Sequence, residues 1–198
     1  MPARNPDLHG NAPDRSPVVL LIIDVINDLE FEGGEALLAQ VLPMADRSAA
    51  LKRRPRLAGI PAVYVNDNFG RWRSDLQAQI AHCLSEAVRG RPLVERLLPE
   101  PEDYFVLKPK HSGFFSTTLD TLLTYLHART LILTGLTTDN CVLFTASDAY
   151  LRDFQLVVPH DCVAAIDPRH TREALAHMRR VLKADLTPST ALSLAAAA

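Results

Sequence analysis

A cysteine in the second half of the chain, Cys141, has the sequence context of a nucleophile. It follows a short apolar run at 131–133, a glycine at position 135 and three helix-capping residues at 137–139. The pattern predicts a buried strand, a sharp turn and a helix whose first turn holds the cysteine. Unpaired N–H groups and the helix dipole in such a turn lower a thiol pKa and favour the nucleophilic thiolate. Free cysteines are also common core residues, so position alone leaves both interpretations open.

Two further ionisable residues follow directly on predicted strands, Asp24 after the apolar run 17–23 and Lys108 after 104–107. The carboxyl ends of parallel strands meet at one edge of a sheet, so these side chains and the cysteine can converge. A carboxylate there would accept the thiol proton and pass it to a leaving amine. The thiolate would attack a carbonyl carbon, and the ammonium would hold the anions in place and lower the thiol pKa. By spacing alone, Asp24 could instead cap a turn, and Lys110 competes with Lys108.

The elements that would position these residues alternate along the chain. Apolar runs predict strands at six places: 17–23, 59–65, 104–107, 130–134, 155–158 and 184–187. Periodic segments predict helices at 35–57 (broken or restarted at Pro43), 75–88, 119–127, 141–151 and, after an Asp167 N-cap, 168–183. Residues 92–101 are a proline-rich link. This order predicts an α/β fold, a three-layer α/β/α sandwich with a Rossmann-like, mostly parallel, six-stranded sheet.

The composition predicts one globular domain. At 198 residues, 47% hydrophobic and 22% charged, the chain can build one core over 17–190, between flexible tails at 1–16 and 191–198. A net charge of −2 argues against nucleic-acid or membrane partners, and no apolar run reaches membrane-spanning length. Three irregularly spaced cysteines show neither a disulfide framework nor paired metal ligands, so we expect a cytoplasmic protein.

Four stretches of the chain, taken in order, carry a family resemblance. They lie at 21–28, 106–114, 134–149 and 157–161. With them the chain resembles the isochorismatase-like cysteine hydrolases, whose members include nicotinamidases, N-carbamoylsarcosine amidohydrolases and ureido-group hydrolases. The resemblance extends from Val18 to about Pro188.

The resemblance implies a catalytic triad of Asp24, Lys108 and Cys141. Lys108 is favoured over Lys110 because the family lysine lies four residues before the serine of a Ser-x-Phe motif, here Ser112. The family also has a non-proline cis peptide bond four residues before the cysteine, which falls between positions 136 and 137. Such a bond is energetically unfavourable, so the resemblance implies that it serves a function. That function would be an oxyanion hole formed by the backbone N–H groups of Thr137 and Cys141.

Departures from the family pattern narrow the expected substrate. Leu29 stands where many members have a pocket-lining phenylalanine, which argues against a flat aromatic substrate. Nicotinamidases carry an Asp-x-His metal motif, whereas residues 66–68 contain no histidine and the next one is His82. We therefore expect no metal and no cofactor. Isochorismatases that cleave a vinyl ether typically lack the cysteine, so its presence favours an amide or ureide.

The remaining candidate residues fall into two groups. Substrate-binding candidates lie near strand ends or in the adjoining loops: Asn27, Leu29, Asn68, Phe69, Trp72 and Phe114. Residues interpreted as core, structural or exposed are Cys83, Cys162, His111, His160 and His170.

The sequence thus predicts a cysteine-dependent hydrolase of a small amide, ureide or carbamoyl compound, acting through a thioester. Hydrolysis of a non-amide bond on the same scaffold, and a catalytically weak ligand-binding or redox-sensing protein, remain alternatives. The resemblance also implies a homo-oligomer, a dimer or tetramer, whose partner in function is a small-molecule substrate.

Overall fold

Short apolar runs pair into one parallel sheet in the computed structural model, which describes residues 14–70 and 75–194. The strands are β1 (Val18–Ile23), β2 (Ala62–Asp67), β3 (Tyr104–Lys108), β4 (Thr130–Leu136), β5 (Gln155–Val157) and β6 (Val163–Ala164). The α-helices are α1 (Gly34–Leu57), α2 (Leu76–Cys83), α3 (Arg91–Arg96), α4 (Leu119–Leu126), α5 (Leu143–Tyr150) and α6 (Pro168–Val181). This confirms the predicted α/β fold.

The strand order places β1 and β4 at the centre of the sheet. The order is β3-β2-β1-β4-β5, and β6 pairs with the last residues of β4. All strand pairs are parallel, and the register sets Ile23 beside Gly135 and Asp67 beside Lys108. The carboxyl ends of β1, β2, β3 and β4 therefore lie along one edge of the sheet.

Apolar side chains cover both faces of the sheet because its central strands alternate between two cores. In β1, Val19, Leu21 and Ile23 pack with the helices α4, α5 and α6. Leu20 and Ile22 pack on the opposite face with α1, α2 and α3. The near-continuous apolar runs are thus those of a sheet buried on both sides, and the three layers follow from them.

Two local predictions are wrong. The segment 184–187 forms only a single bridge, between Val157 and Asp185. The sixth strand is instead β6, which pairs with the part of β4 that extends beyond β5. Helix α1 continues through Pro43, because Val41 and Met44 on either side are buried against the sheet.

The proline-rich link contains the short helix α3. Its Pro92 stands in the first turn, where the missing N–H has no helical partner to lose, and Leu93 and Val94 are buried. Within the described ranges, no helix has the length and apolar character needed to cross a bilayer.

Candidate active site

Three side chains that are remote in sequence meet at the carboxyl edge of the sheet. Lys108 Nζ lies 2.8 Å from Asp24 Oδ2 and 3.5 Å from Cys141 Sγ. Asp24 follows β1, Lys108 ends β3 and Cys141 lies beyond β4. The structure therefore brings together the residues that were predicted as a triad, and their catalytic role stays a prediction.

Lys108 is the buried centre of this cluster. Its side chain is fully buried, and Nζ also lies 3.5 Å from Asp67 Oδ2 and donates to the backbone carbonyl of Lys110 at 3.2 Å. Burial alone would lower the pKa of Lys108, but the negative charge of Asp24 raises it above its usual value. The ammonium is therefore held in its charged form. Lys110 supplies only a carbonyl to this contact.

Asp24 is held by two contacts on its carboxylate. Oδ2 pairs with Lys108, and Oδ1 accepts a hydrogen bond from the N–H of Asp67 at 2.6 Å. The residue adopts a positive φ of 54°, which aspartate tolerates better than most residues. Burial raises the pKa of Asp24 above its usual value, against the lowering effect of the Lys108 charge. A carboxylate with a raised pKa suits a base that must accept a thiol proton.

Cys141 lies in a wide helical turn, Thr138–Val142, that precedes α5. The N–H of Val142 donates to the carbonyl of Thr137 at 3.1 Å, five residues back, which gives the turn its π-helical width. Burial, together with the negative charge of Asp24, raises the pKa of the half-buried Cys141 thiol to about 12. The expectation of a depressed thiol pKa is therefore wrong, because burial and Asp24 outweigh Lys108. The resting thiol needs a base.

The turn from β4 toward the cysteine depends on Gly135. Its φ is +111°, and a Cβ there would lie 2.0 Å from the carbonyl oxygen of Ile23. The expected cis bond between Leu136 and Thr137 is absent, since no peptide bond of the described residues is cis. The chain instead changes direction through Gly135 and an extended Thr137, with φ −86° and ψ 147°.

One of the two amides of the predicted oxyanion hole, that of Thr137, has no hydrogen-bond acceptor among the described residues. This amide is therefore available to an incoming oxygen. Thr137 is the N-cap of the turn, where N–H groups lack helical partners, and Cys141 is the fourth residue of that turn. The role of the two amides in holding an oxyanion stays a prediction.

Side-chain contacts fix the loop after β3 against α5. Ser112 Oγ donates to Asp148, and the N–H of Gly113 donates to Thr145 Oγ1 at 3.0 Å. A Cβ on Gly113 would lie 2.7 Å from a methyl group of Val65, so a small residue is needed here. These contacts tie the loop that begins at Lys108 to the helix that follows the cysteine.

A second clamp positions the segment after β1. Asn66 at the end of β2 accepts a hydrogen bond from the N–H of Ile26 and donates to its carbonyl, both at 3.0 Å. The bidentate amide fixes the backbone two residues beyond Asp24. The same segment is held further along by a contact of 3.0 Å between His82 and Asp28.

The predicted substrate-binding residues separate into four groups, of which the last is buried in the core. Asn68 and Phe69 follow β2 beside Lys108. The N–H of Asn68 donates to the backbone carbonyl of Lys108 at 3.0 Å. Asn27 is half-buried near the site and caps its own turn by accepting from the N–H of residue 29. Trp72 lies outside the described residues.

Two predicted pocket residues are core residues instead. Leu29 is 0% exposed and packs among the apolar side chains that face α1. Phe114 is 5% exposed and contacts the ring of Phe154 and the guanidinium of Arg152. Their apolar surface is satisfied by packing, so these side chains contribute little to the surface of the site. Cys83 and Cys162 are also buried in the core, as predicted.

Two residues at the site were not selected from the sequence. Asp67 provides a second carboxylate to Lys108, and its place close after the predicted strand 59–65 was the available signal. His111 Nδ1 lies 4.0 Å from Cys141 Sγ, and no spacing pattern pointed to it. Residues 14–70 and 75–194 contain no cluster of three or more His, Cys, Asp or Glu side chains arranged to hold a metal ion.

Comparisons with known proteins agree on one family. A sequence profile described as the isochorismatase domain matches residues 18–190. An uncharacterized isochorismatase family protein of Bacillus subtilis, YaaI, is 39% identical over 168 residues, covering 85% of this chain and 92% of that protein. Ureidoacrylate amidohydrolase RutB of Methylorubrum extorquens is 29% identical over 185 residues, covering 81% of this chain and 75% of that protein.

A solved structure shows the same fold. The crystal structure of N-carbamoylsarcosine amidase from Thermoplasma acidophilum superposes with a TM-score of 0.68 at 27% identity. The match covers 89% of this chain and 98% of that one.

Proposed function

The chain belongs to the isochorismatase family of hydrolases, and we propose that it hydrolyses a C–N bond in a small amide, ureide or carbamoyl compound through Cys141. The observation that carries the proposal is the contact of one buried ammonium, Lys108 Nζ, with both Asp24 and the sulfur, at 2.8 Å and 3.5 Å. Relatives named ureidoacrylate amidohydrolase and N-carbamoylsarcosine amidase support the class of bond.

The geometry supports a base-assisted attack by sulfur. Because the pKa of the Cys141 thiol is raised to about 12, the thiol keeps its proton at neutral pH and must lose it as it attacks. Asp24, which shares the Lys108 ammonium with the sulfur and has its own pKa raised by burial, takes that proton. Lys108 stabilises the negative charge that moves between carboxylate and sulfur.

The attack produces a tetrahedral intermediate and then a thioester. The carbonyl oxygen would be held by the N–H groups of Thr137 and Cys141. In the simplest cycle, Asp24 gives its proton to the leaving ammonia or amine. A water molecule then attacks the thioester carbon and releases the acid. Asn68 and Phe69, in the loop beside Lys108, are proposed to contact the substrate.

The proposal is tested by a screen of small amides, ureides and carbamoyl compounds for ammonia release. Cys141→Ala should abolish hydrolysis of every substrate found, while Cys162→Ala, which changes a buried core cysteine, should retain it. Hydrolysis at the wild-type rate by the Cys141 variant would reject the mechanism. Intact-protein mass spectrometry should detect an acyl group on Cys141 during turnover.

The alternatives give different outcomes in the same experiments. Cleavage of an ester or vinyl ether without an acyl-enzyme would favour hydrolysis of a non-amide bond. Tight binding of a small molecule without turnover would favour a ligand-binding role. The cytoplasmic location and the homo-oligomeric state stay predictions, and light scattering on the purified chain tests the latter.

A further inference from the structure

His111 lies at the solvent side of the candidate nucleophile. Its Nδ1 is 4.0 Å from Cys141 Sγ, and the residue is exposed. The imidazole lies against the ring of Phe144, with centroids 5.6 Å apart and planes inclined by 32°. Phe144 is in the first turn of α5, so this contact holds the imidazole beside the sulfur rather than free in solvent.

The loop that carries His111 is anchored on both sides of it. Lys108 Nζ binds the carbonyl of Lys110 on one side, and Ser112 Oγ donates to Asp148 of α5 on the other. The backbone of His111 therefore lies between two fixed points. These two contacts restrict the positions that the His111 side chain can take relative to the sulfur.

Asp24 lies buried beside Lys108, whose ammonium also contacts the sulfur. It is 5% exposed, and both carboxylate oxygens are engaged, one with Lys108 and the other with the N–H of Asp67. The shared contact with Lys108 places the carboxylate and the sulfur on the same ammonium. These contacts leave the carboxyl little surface from which to reach a leaving group or a water molecule on the solvent side.

We propose that proton transfer at this site is divided between two residues: Asp24 exchanges a proton with the sulfur, and His111 exchanges protons with the leaving nitrogen and with water. This inference rests on the proposed function. It assigns to His111 the two steps that the simplest cycle gives to Asp24. Imidazole is suited to both because its ring nitrogens can donate and accept protons.

The cycle balances with these assignments. It starts from a neutral thiol, a carboxylate and an imidazolium. Asp24 takes the thiol proton as sulfur bonds to the carbonyl carbon. The C–N bond breaks, and the nitrogen takes its proton from His111. Neutral His111 then accepts a proton from the water that attacks the thioester. The C–S bond breaks, and the thiolate takes its proton back from Asp24.

The test uses 4-nitrophenyl acetate, because 4-nitrophenolate leaves without needing a proton. In His111→Gln, the initial burst of nitrophenolate, which reports acylation, should keep its wild-type rate. The later steady-state rate, which reports attack by water, should fall by about 100-fold or more. Acetylated Cys141 should accumulate and be visible by mass spectrometry. His177→Gln, at an exposed position of α6, is the matched control and should change neither phase.

Two further measurements separate proton transfer from a structural role. With 4-nitroacetanilide, whose leaving nitrogen needs a proton, His111→Gln should also lose the acylation phase. Added imidazole should restore the steady-state rate of His111→Ala, because the site of the removed ring is open to solvent. Equal loss of both phases with the ester, or unchanged steady-state turnover, would overturn the assignment. A burst that persists in Cys141→Ala would instead refute the proposed function.

Discussion

Replacement of Lys108 by methionine tests whether the ion pair beneath the sulfur is as buried as the structure indicates. Lys108→Met keeps most of the side-chain volume but leaves Asp24 as an unpaired carboxylate at 5% exposure. We expect the free energy of unfolding to fall by about 3–5 kcal/mol near neutral pH, as when one partner of a buried pair is removed. Asp67, whose side chain is 32% exposed, stays solvated and adds little to this loss.

The loss should depend on pH with a definite sign. In the variant, the folded-state pKa of Asp24 lies above the unfolded value of 3.8, because burial disfavours the charge and no ammonium opposes it. The stability contributed by the protonated Asp24 carboxyl is fully present below the pKa of Asp24 in the unfolded chain. It is lost as the pH rises through the pKa of Asp24 in the folded variant. Lys108→Met should therefore be closer to wild type at about pH 5 than at about pH 8.

A double-variant cycle measured by urea unfolding completes the test. Asp24→Asn combined with Lys108→Met removes both charges and should regain most of the lost stability, while hydrolysis stays abolished. Lys110→Met is the matched control, since that residue contributes only its carbonyl, and should change stability by less than about 0.5 kcal/mol. A Lys108 variant as stable as the control, or a double variant with the summed loss of both singles, would refute a buried pair.

Three further predictions concern the thiol, a turn and the C-terminal segment. Alkylation of Cys141 by iodoacetamide, followed by mass spectrometry, should be slow at neutral pH and accelerate about tenfold per pH unit up to about pH 10, because the thiol pKa is raised to about 12. A rate that levels off near pH 8 would contradict this prediction. Gly135→Ala should lower the free energy of unfolding by more than about 3 kcal/mol, since its Cβ would lie 2.0 Å from a backbone oxygen. Gly59→Ala, at φ +71° in open space, should lower it by only about 1–2 kcal/mol in the same urea titration. Burial opposes the ionised form of Asp161, but hydrogen bonds from Ser189 lower its pKa. The stability that results is present above the unfolded pKa of 3.8 and is lost as the pH falls below that value. Ser189→Ala should make the melting temperature less dependent on acid pH, and an unchanged dependence would contradict this prediction.

The sheet and the meeting of the three side chains could be predicted because both depend on local signals. Apolar runs such as 17–23 identify buried parallel strands, and residues that follow such strands lie at a common edge. Asp24 and Lys108 could thus be placed near the cysteine before any contact was known. The family resemblance chose between Lys108 and Lys110, which spacing alone left open.

The predictions that were wrong depend on long-range packing. The thiol pKa is set by burial and by a carboxylate from a distant strand, whereas the sequence shows only the local helix start. His111 reaches the sulfur because Ser112 binds Asp148 on another element, and nothing in the short stretch around the histidine encodes that contact. Leu29 and Phe114 were placed at the pocket although their apolar side chains are satisfied by the core.

The π-helical turn at Thr138–Val142 makes this segment intolerant of changes in length. It contains one residue more per turn than an α-helix, which advances by 100° per residue. Deleting one residue would let the segment close as an ordinary helix and would swing everything after it around the axis. The sulfur would then turn away from Lys108. Over evolutionary time such a segment can exchange residue types, but gaps and insertions within it should be eliminated.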